Sequence, residues 1–152
     1  MSEFVEIPAS KLSLSMRRKI YGIGTNDADY ITQPKIYGRS LICPYYRVWT
    51  SMLSRCYSPK LHARRPTYKD CSITKDWLIF SVFRKWMKTQ DWEGKELDKD
   101  ILISGNKEYS PNACLFVSGA INNLLGNNAA TRGSLPQGVC FNKVLGKYQA
   151  NC

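Results

Sequence analysis

Two aspartates separated by a single residue, Asp98 and Asp100, are the side chains of this sequence best suited to hold a metal ion. They fall in residues 97–103, where polar and apolar residues alternate and β-branched residues come late, a pattern that predicts a strand. Alternate strand residues point to the same face, so we expect both carboxylates on one face and Lys99 pointing away from them. Carboxylate oxygens and the amide oxygens of nearby asparagines are ligands that hard divalent cations prefer. The pair therefore indicates a divalent-ion site, with a solvated edge strand as the alternative.

A strand–turn–strand–helix unit is predicted around these aspartates. Residues 104–107 form a turn by their chemistry, because glycine and asparagine tolerate positive φ, and residues 110–112 form a second break. The apolar run 114–117 is typical of a returning strand. Ser118 can then cap a helix over about residues 119–125.

This unit resembles the ββα-metal finger (His-Me finger) of HNH endonucleases. Asp98-Lys99 stands where the family has an acid–histidine pair, and Ser110-Pro111 stands where it has asparagine followed by proline. Asn122 or Asn123 matches the metal ligand on the family's helix. The resemblance implies a nucleic-acid enzyme, or a DNA-binding descendant of one.

The roles that the resemblance implies fall on four residues. Asp98, Asp100 and Asn112 take the catalytic positions, and Asp98, Asp100 and Asn122 take the metal positions. The implied cofactor is Mg²⁺ or another divalent metal if the chain cleaves DNA, and none otherwise. The general-base histidine has no counterpart in the finger, because the chain has one histidine, His62, which we expect to be a solvated loop residue.

Two helices precede the finger in the predicted fold. The first begins at Pro44, since proline fits the first helical turn, and its apolar residues recur at three- and four-residue steps: Tyr46, Trp49, Met52, Leu53 and Cys56. The second spans about 75–89, is capped by Thr74 and carries one apolar stripe: Trp77, Phe80, Phe83 and Met87. Ile79, Val82 and Trp86 widen that stripe, so we expect this helix to be buried on most sides, with both Trp77 and Trp86 in the core. A short strand is predicted at 68–73.

The order of motifs between residues 44 and 123 is more specific than the finger alone. An Arg-Cys-Tyr helix end at 55–57 is followed by Tyr-Lys-Asp-Cys at 68–71, the aromatic helix and Leu-Asp-Lys-Asp at 97–100. This order looks like that of bacteriophage proteins grouped with the HNH homing endonucleases. The resemblance implies a phage-type DNA-binding protein that works in the cytoplasm of an infected bacterial host.

Positive charge is concentrated in one part of the chain. The net charge is +10, and residues 30–69 contain eight lysines and arginines and no acidic residue. Such segregation favours an anionic partner, most simply double-stranded DNA, over a solvated basic face. Residues 1–19 are expected to form an irregular arm with a basic cluster, and residues 58–67 a basic loop. The residues we expect to contact nucleic acid are Arg17, Arg18, Arg39, Arg47, Arg55, Lys60, Arg64, Arg65, Lys143 and Lys147.

The C-terminal segment predicts a β-hairpin. Gly-Val-Cys-Phe at 138–141, a glycine turn and Lys-Tyr-Gln-Ala at 147–150 are similar to the opening hairpin of the APETALA-type DNA-binding domain. Phage HNH proteins often carry that domain after the nuclease module, so the resemblance implies a partial DNA-binding element.

Taken together, the sequence predicts an α+β fold: a small mixed domain with a degenerate ββα unit and a C-terminal hairpin. The expected divisions are an arm and extended segment at 1–36, an HNH-like core at 37–126 and the hairpin segment at 127–152. No apolar run approaches the roughly 20 residues of a membrane span. The N-terminal sequence predicts no export signal, so we expect the six widely spaced cysteines to be reduced thiols. A non-cleaving nucleic-acid binder and a phage inhibitor of a host enzyme, acting by protein contact, are the alternative functions.

Overall fold

The computed structural model describes residues 4–125 and 139–150. The chain divides into two compact units, residues 1–119 and 120–152, which are described separately below. The expected α+β class is confirmed. The elements of the first unit are α1 (Lys11–Ser15), β1 (Lys35–Ile36), β2 (Arg39–Ser40), α2 (Pro44–Tyr57), α3 (Pro59–Arg64), β3 (Ser72–Ile73), α4 (Phe80–Met87), β4 (Glu96–Asp98), β5 (Glu108–Tyr109) and β6 (Leu115–Val117).

The core of the first unit lies between α2 and the segment that contains α4. The predicted face of α2 is confirmed, because Trp49, Met52, Leu53 and Cys56 are buried and Tyr46 is half-buried. The Trp49 indole N–H donates a hydrogen bond of 2.7 Å to the backbone carbonyl of Trp77, which joins the two segments. Gly24 lies directly against this core: a Cβ there would meet Leu53 Cδ1 at 2.5 Å, so any larger residue would force the Leu53 side chain to shift.

The helix predicted over 75–89 is wrong as a single element. Residues Lys75–Leu78 form a 3₁₀ helix, Ile79 is extended, and α4 begins only at Phe80. The break has a tertiary cause, because Thr25 N–H donates to Leu78 O at 2.8 Å and Phe80 N–H donates to Thr25 O at 3.0 Å. These two bonds replace helical bonds on either side of Ile79.

The apolar stripe of this segment faces one side only. Trp77, Phe80, Phe83 and Met87 are buried, as predicted. The expectation of burial on most sides is wrong, because Ile79 and Val82 are about 40% exposed. Trp86 is half-buried at the edge of the core, stacked on Phe116 of β6. Thr74 makes no side-chain capping bond to the 3₁₀ helix that follows it.

Strand β4 is shorter than the predicted strand at 97–103. It ends at Asp98 and pairs antiparallel with β6, with Leu97 opposite Phe116. Residues 99–103 bend, with Leu102 and Ile103 exposed. The returning strand and the turn at Gly105, which has φ +77°, are as predicted. Strand β3 covers only Ser72–Ile73 of its predicted range and pairs parallel with β5, which the sequence did not indicate.

The N-terminal residues and the basic segment after α2 are more ordered than expected. Pro8 pairs with Tyr30 in an isolated antiparallel bridge, and Glu6 forms an ion pair with Arg84 of α4. The basic segment at 58–67, expected as a loop, instead holds α3 and a 3₁₀ turn at Pro66–Tyr68. Ser58 begins α3 because its hydroxyl accepts from Leu61 N–H, and proline follows at the first helical position.

The second unit contains a helix and a hairpin in its described residues. Helix α5 runs Gly119–Leu125, with its first residue still in the first unit, and β7 (Val139–Asn142) pairs antiparallel with β8 (Lys147–Ala150). The predicted hairpin is confirmed, with the glycine of its turn, Gly146, at φ +61°. The start of the predicted hairpin segment, residues 127–138, lies outside the described residues. Within the two described ranges, no helix is long and apolar enough to cross a bilayer.

Candidate nucleic-acid interface and the aspartate turn

A basic pocket lies in the first unit, between α2, α3 and the turn at Pro66–Tyr68. Its volume is about 480 Å³. Three arginines and two serines supply its polar groups: Arg55, Arg64, Arg65, Ser51 and Ser54. Leu61 and Tyr68 complete the lining, and no acidic residue takes part in it. The pocket therefore joins positive charge to hydroxyl donors, which is the chemistry that binds phosphate oxygens.

The local sequence explains how α2 and α3 form this pocket. Ser51, Ser54 and Arg55 are three and four residues apart on α2 and so share one helix face. Ser58 and Pro59 end α2 and start α3 at once, which places the basic end of α3 close to that face. His62 of α3 then lies against α2, with its Nε2 atom 2.8 Å from the Arg55 carbonyl oxygen. A carbonyl only accepts, so this imidazole bonds as a donor and secures the two helices instead of standing free in a loop.

Arg55 differs from the other two arginines because its guanidinium contacts groups of the protein itself. Its Nη1 donates to Leu97 O at 3.1 Å and lies 3.4 Å from the Tyr109 hydroxyl, while Tyr68 packs 5.9 Å from the guanidinium carbon. Arg55 was expected to face solvent or phosphate; most of its hydrogen bonding is instead to β4 and β5. Arg64 and Arg65 are exposed. The pocket thus has one half-buried cation held by hydrogen bonds and two exposed cations.

The other residues expected at nucleic acid lie in different places. Arg18, Arg39, Arg47 and Lys60 are exposed on the first unit, and Lys143 and Lys147 are exposed on the hairpin of the second. Arg17 turns inward, where its guanidinium donates to the backbone carbonyls of Asn26, Ala28 and Tyr30. Because three backbone carbonyls occupy its donors, Arg17 connects the N-terminal residues to residues 26–30 and is not part of the candidate interface.

Sequence reasoning missed Ser51, Ser54 and Tyr68 as pocket residues. The two serines could have been found from sequence, because their spacing places them on the same face of α2 as Arg55, which the sequence predicts to contact nucleic acid. Tyr68 carried no such signal. It reaches the pocket only because the 3₁₀ turn at Pro66–Tyr68 folds back on α2.

The two aspartates do not share a strand face, because β4 ends between them. Asp98 Oδ1 accepts hydrogen bonds of 2.8 Å from the backbone N–H groups of both Asp100 and Ile101, which is an aspartate-capped turn. Asp100 is exposed, and its Oδ2 lies 3.2 Å from the ammonium of Lys99. Asp98 therefore organises the bend at residues 99–101, and Asp100 is paired with a cation.

Lys99 lies opposite to its expected position. It was placed on a half-exposed strand, pointing away from both aspartates, but only 7% of it is exposed and its Nζ bonds Asp100. The ammonium also lies 5.9 Å from the centre of the Tyr109 ring. The turn that Asp98 caps directs Lys99 inward, which an alternating pattern does not anticipate.

The donor set fits a divalent ion poorly at this turn. A cation bound by Asp100 would meet the charge of the Lys99 ammonium, and one oxygen of Asp98 is already used by two N–H groups. Asn112 is exposed in the turn before β6, and Asn122 lies on α5 in the second unit. In the described part of the chain, no three His, Cys, Asp or Glu residues are grouped to hold a metal.

Partial burial raises the pKa of the Asp98 carboxyl, the bonds from Ile101 and Asp100 N–H oppose this, and the nearby Asp100 charge raises it further. The folded chain therefore binds this proton more readily than the unfolded chain, in which the pKa of an aspartate is about 3.9. The contribution of Asp98 to the free energy of unfolding becomes more favourable as pH falls from above its folded pKa to the unfolded value.

We expect Asp98→Asn to leave the free energy of unfolding at pH 7 unchanged or higher, since the amide oxygen still accepts both N–H groups and the charge beside Asp100 is gone. Asp98→Ala removes the acceptor and should lower that free energy by about 1–2 kcal/mol. Denaturant unfolding of the unaltered protein and both variants between about pH 4 and pH 7 checks this, and the Asp98→Asn substitution should also flatten the pH dependence. Equal losses for the two variants would contradict the turn role.

Four of the cysteines are buried in the first unit: Cys43, Cys56, Cys71 and Cys114. Burial raises the pKa of Cys56 and of Cys114 to about 12, so both remain protonated and unreactive near neutral pH. These thiols are core groups and form no part of the candidate site.

Comparisons of the chain with protein-family models, curated proteins and solved structures found no match.

Proposed function

We propose that this chain is a phage-type DNA-binding protein of the HNH-like group, and that the arginine pocket is its main contact with the phosphate backbone. The observation that carries the proposal is the pocket itself: Arg55, Arg64 and Arg65 converge with two serine hydroxyls, and no acidic residue lines the space. The phage-type assignment, and action in the cytoplasm of an infected bacterial cell, rest on the resemblance in sequence.

The chemistry of the pocket favours phosphate over other anionic partners. Guanidinium groups present a planar fork of donors that matches phosphate oxygens, and serine hydroxyls add single donors at the same oxygens. Neither Arg64 nor Arg65 has a side-chain hydrogen bond or ion pair within the described residues, so both are available to a ligand. The exposed cations Arg47 and Lys60 lie on the same two helices and extend the positive surface beyond the pocket.

Binding to a DNA duplex should therefore depend steeply on salt. If about five phosphates are neutralised, the logarithm of the binding constant should fall against the logarithm of salt concentration with a slope of about −4 to −5. The double variant Arg64→Gln/Arg65→Gln should bind more weakly and reduce the magnitude of that slope by about 2, since each arginine contributes about one phosphate contact. Fluorescence anisotropy over about 50–200 mM salt measures both quantities.

A matched control separates the pocket from total charge. The double variant Lys75→Gln/Lys85→Gln also removes two positive charges, but at exposed positions on the 3₁₀ helix and α4. This control should keep nearly the whole slope. An equal loss in both double variants would assign binding to net charge alone, and a flat salt response of the unaltered protein would remove the nucleic-acid proposal.

Divalent-metal-dependent DNA cleavage is the second candidate. The observation that favours it is the antiparallel pair of β4 and β6, which have a turn and β5 between them in the chain and are followed by α5. This pair and helix are similar in order to the strand–strand–helix unit of the family that the sequence resembles. Plasmid DNA incubated with the protein and Mg²⁺ or Mn²⁺ tests it. Cleavage lost in Asp98→Ala and in Asp100→Ala, but kept in His62→Ala, would support the finger, whereas DNA binding without cleavage supports the binding function alone.

A further inference from the structure

The tetrapeptide Lys-Ile-Tyr-Gly occurs twice in the chain, at residues 19–22 and 35–38. Both copies form tight turns with the tyrosine and the glycine at positive φ. The angles are 50° and 76° for Tyr21 and Gly22, and 48° and 74° for Tyr37 and Gly38. These two tyrosines are the only non-glycine residues at positive φ within the described residues. The same sequence therefore adopts the same uncommon backbone at two sites.

Both turns are closed by backbone hydrogen bonds. Ile20 O accepts from Ile23 N–H at 3.1 Å and from Gly24 N–H at 2.9 Å, and in the second turn Ile36 pairs with Arg39 across a two-residue loop. Two consecutive residues at positive φ are typical of a type I′ turn, whose first central position favours asparagine, aspartate or glycine. A bulky side chain at that position is an outlier that strains the backbone.

Neither tyrosine is buried, and neither ring gains an aromatic contact among the described residues that would offset this strain. Tyr37 is fully exposed, and Tyr21 is 47% exposed. Neither ring packs against another aromatic ring among the described residues, whereas Phe4, Tyr30, Tyr45 and Tyr46 of the same unit all do. Strain kept at exposed positions points to a role outside the fold, because an asparagine would make the same turn at lower cost.

Basic residues surround both tyrosines. Arg18 and Lys19 are exposed just before Tyr21. Lys35 and Arg39 are exposed on β1 and β2, the two strands that flank the turn of Tyr37. An aromatic ring that projects from a basic surface matches a nucleic acid with accessible bases, because the ring can stack on a base while the cations contact adjacent phosphates. The bases of an intact duplex are already stacked on both faces, so such a ring reaches a base only where the duplex is open.

We propose that the two Lys-Ile-Tyr-Gly turns stack Tyr21 and Tyr37 on unpaired DNA bases, so that the protein prefers DNA with an unpaired stretch over an intact duplex. This preference rests on the DNA binding proposed above and adds the class of DNA that is recognised. The arginine pocket supplies affinity for phosphates in any DNA, and the tyrosine turns supply the discrimination.

The test compares two probes at one salt concentration: an intact duplex, and the same duplex with a short gap that leaves several nucleotides unpaired. The unaltered protein should bind the gapped duplex about tenfold more tightly. Tyr21→Asn and Tyr37→Asn should each reduce this ratio, and the double variant should bring it close to one with the affinity for intact duplex unchanged. Because asparagine suits the turn, the melting temperature should rise by about 2–4 °C per substitution instead of falling.

Two further variants guard against a purely structural effect. Tyr21→Phe and Tyr37→Phe keep the ring and the strain, so both should keep the preference for the gapped probe. A ratio near one for the unaltered protein, with intact-duplex binding present, would overturn the tyrosine proposal and leave the arginine pocket standing. A preference that persists in the double asparagine variant would also overturn it, and no binding to either probe would overturn both proposals.

Discussion

Replacing Trp77 by alanine should lower the free energy of unfolding by about 3–5 kcal/mol. The side chain is 1% exposed and lies between two aromatic neighbours, with ring centres 5.1 Å from Phe83 and 4.4 Å from Trp86. Its backbone carbonyl also accepts the indole N–H of Trp49 from α2. Alanine would leave a large cavity at the point where α2 meets the segment of α4. Denaturant-induced unfolding followed by circular dichroism measures the loss.

Trp86 provides the matched comparison for this prediction. The sequence predicts both tryptophans in the core, but Trp86 is only half-buried and stacks on Phe116 at the edge of the core. Trp86→Ala should therefore cost less, about 1–3 kcal/mol. If Trp77→Ala kept its stability and lost DNA binding instead, Trp77 would be a base-stacking residue and the core assignment would fail.

Arg55→Met should lower the free energy of unfolding by about 2–4 kcal/mol, although the sequence predicts that Arg55 faces solvent or phosphate. The substitution leaves Leu97 O and the Tyr109 hydroxyl without the guanidinium that joins them to α2. Burial raises the pKa of the Tyr109 hydroxyl, so this group stays neutral when the guanidinium is removed. Chemical denaturation of the purified variant gives the value.

Arg47→Met on the same helix is the control for Arg55. Arg47 is exposed and should change stability by no more than about 0.5 kcal/mol. Arg55→Lys should recover only part of the loss, because Nη1 contacts both Leu97 O and the Tyr109 hydroxyl from a planar guanidinium, and an ammonium on a different stem does not reproduce that donor geometry. A stability of Arg55→Met equal to that of Arg47→Met would return Arg55 to the solvent-facing role expected from sequence.

These contrasts divide the arginines of the pocket by function. Arg55 contributes to folding as well as to the charge of the pocket, whereas Arg64 and Arg65 are exposed and should affect binding alone. A variant of Arg55 that binds DNA weakly is therefore informative only alongside its stability. The Arg64 and Arg65 variants report on the interface directly.

The sequence by itself determined the elements whose causes are local. Helix α2 follows from its proline start and from the regular spacing of Trp49, Met52, Leu53 and Cys56. The turns at Gly105 and Gly146 follow from glycine's tolerance of positive φ, and β6, α5 and the hairpin follow from short apolar runs between such turns. The concentration of positive charge in residues 30–69 was equally readable, because charge is a property of composition.

Tertiary structure decided everything that depends on a partner distant in sequence. Hydrogen bonds to Thr25 break the helix predicted through Ile79, and carbonyls at Asn26, Ala28 and Tyr30 draw Arg17 inward. The Asp98 turn ends β4 and buries Lys99. A pattern of polar and apolar residues records which side chains avoid water, but it does not record which backbone group will satisfy a buried polar side chain. That is why the placement of these charged residues could be found only in the folded chain.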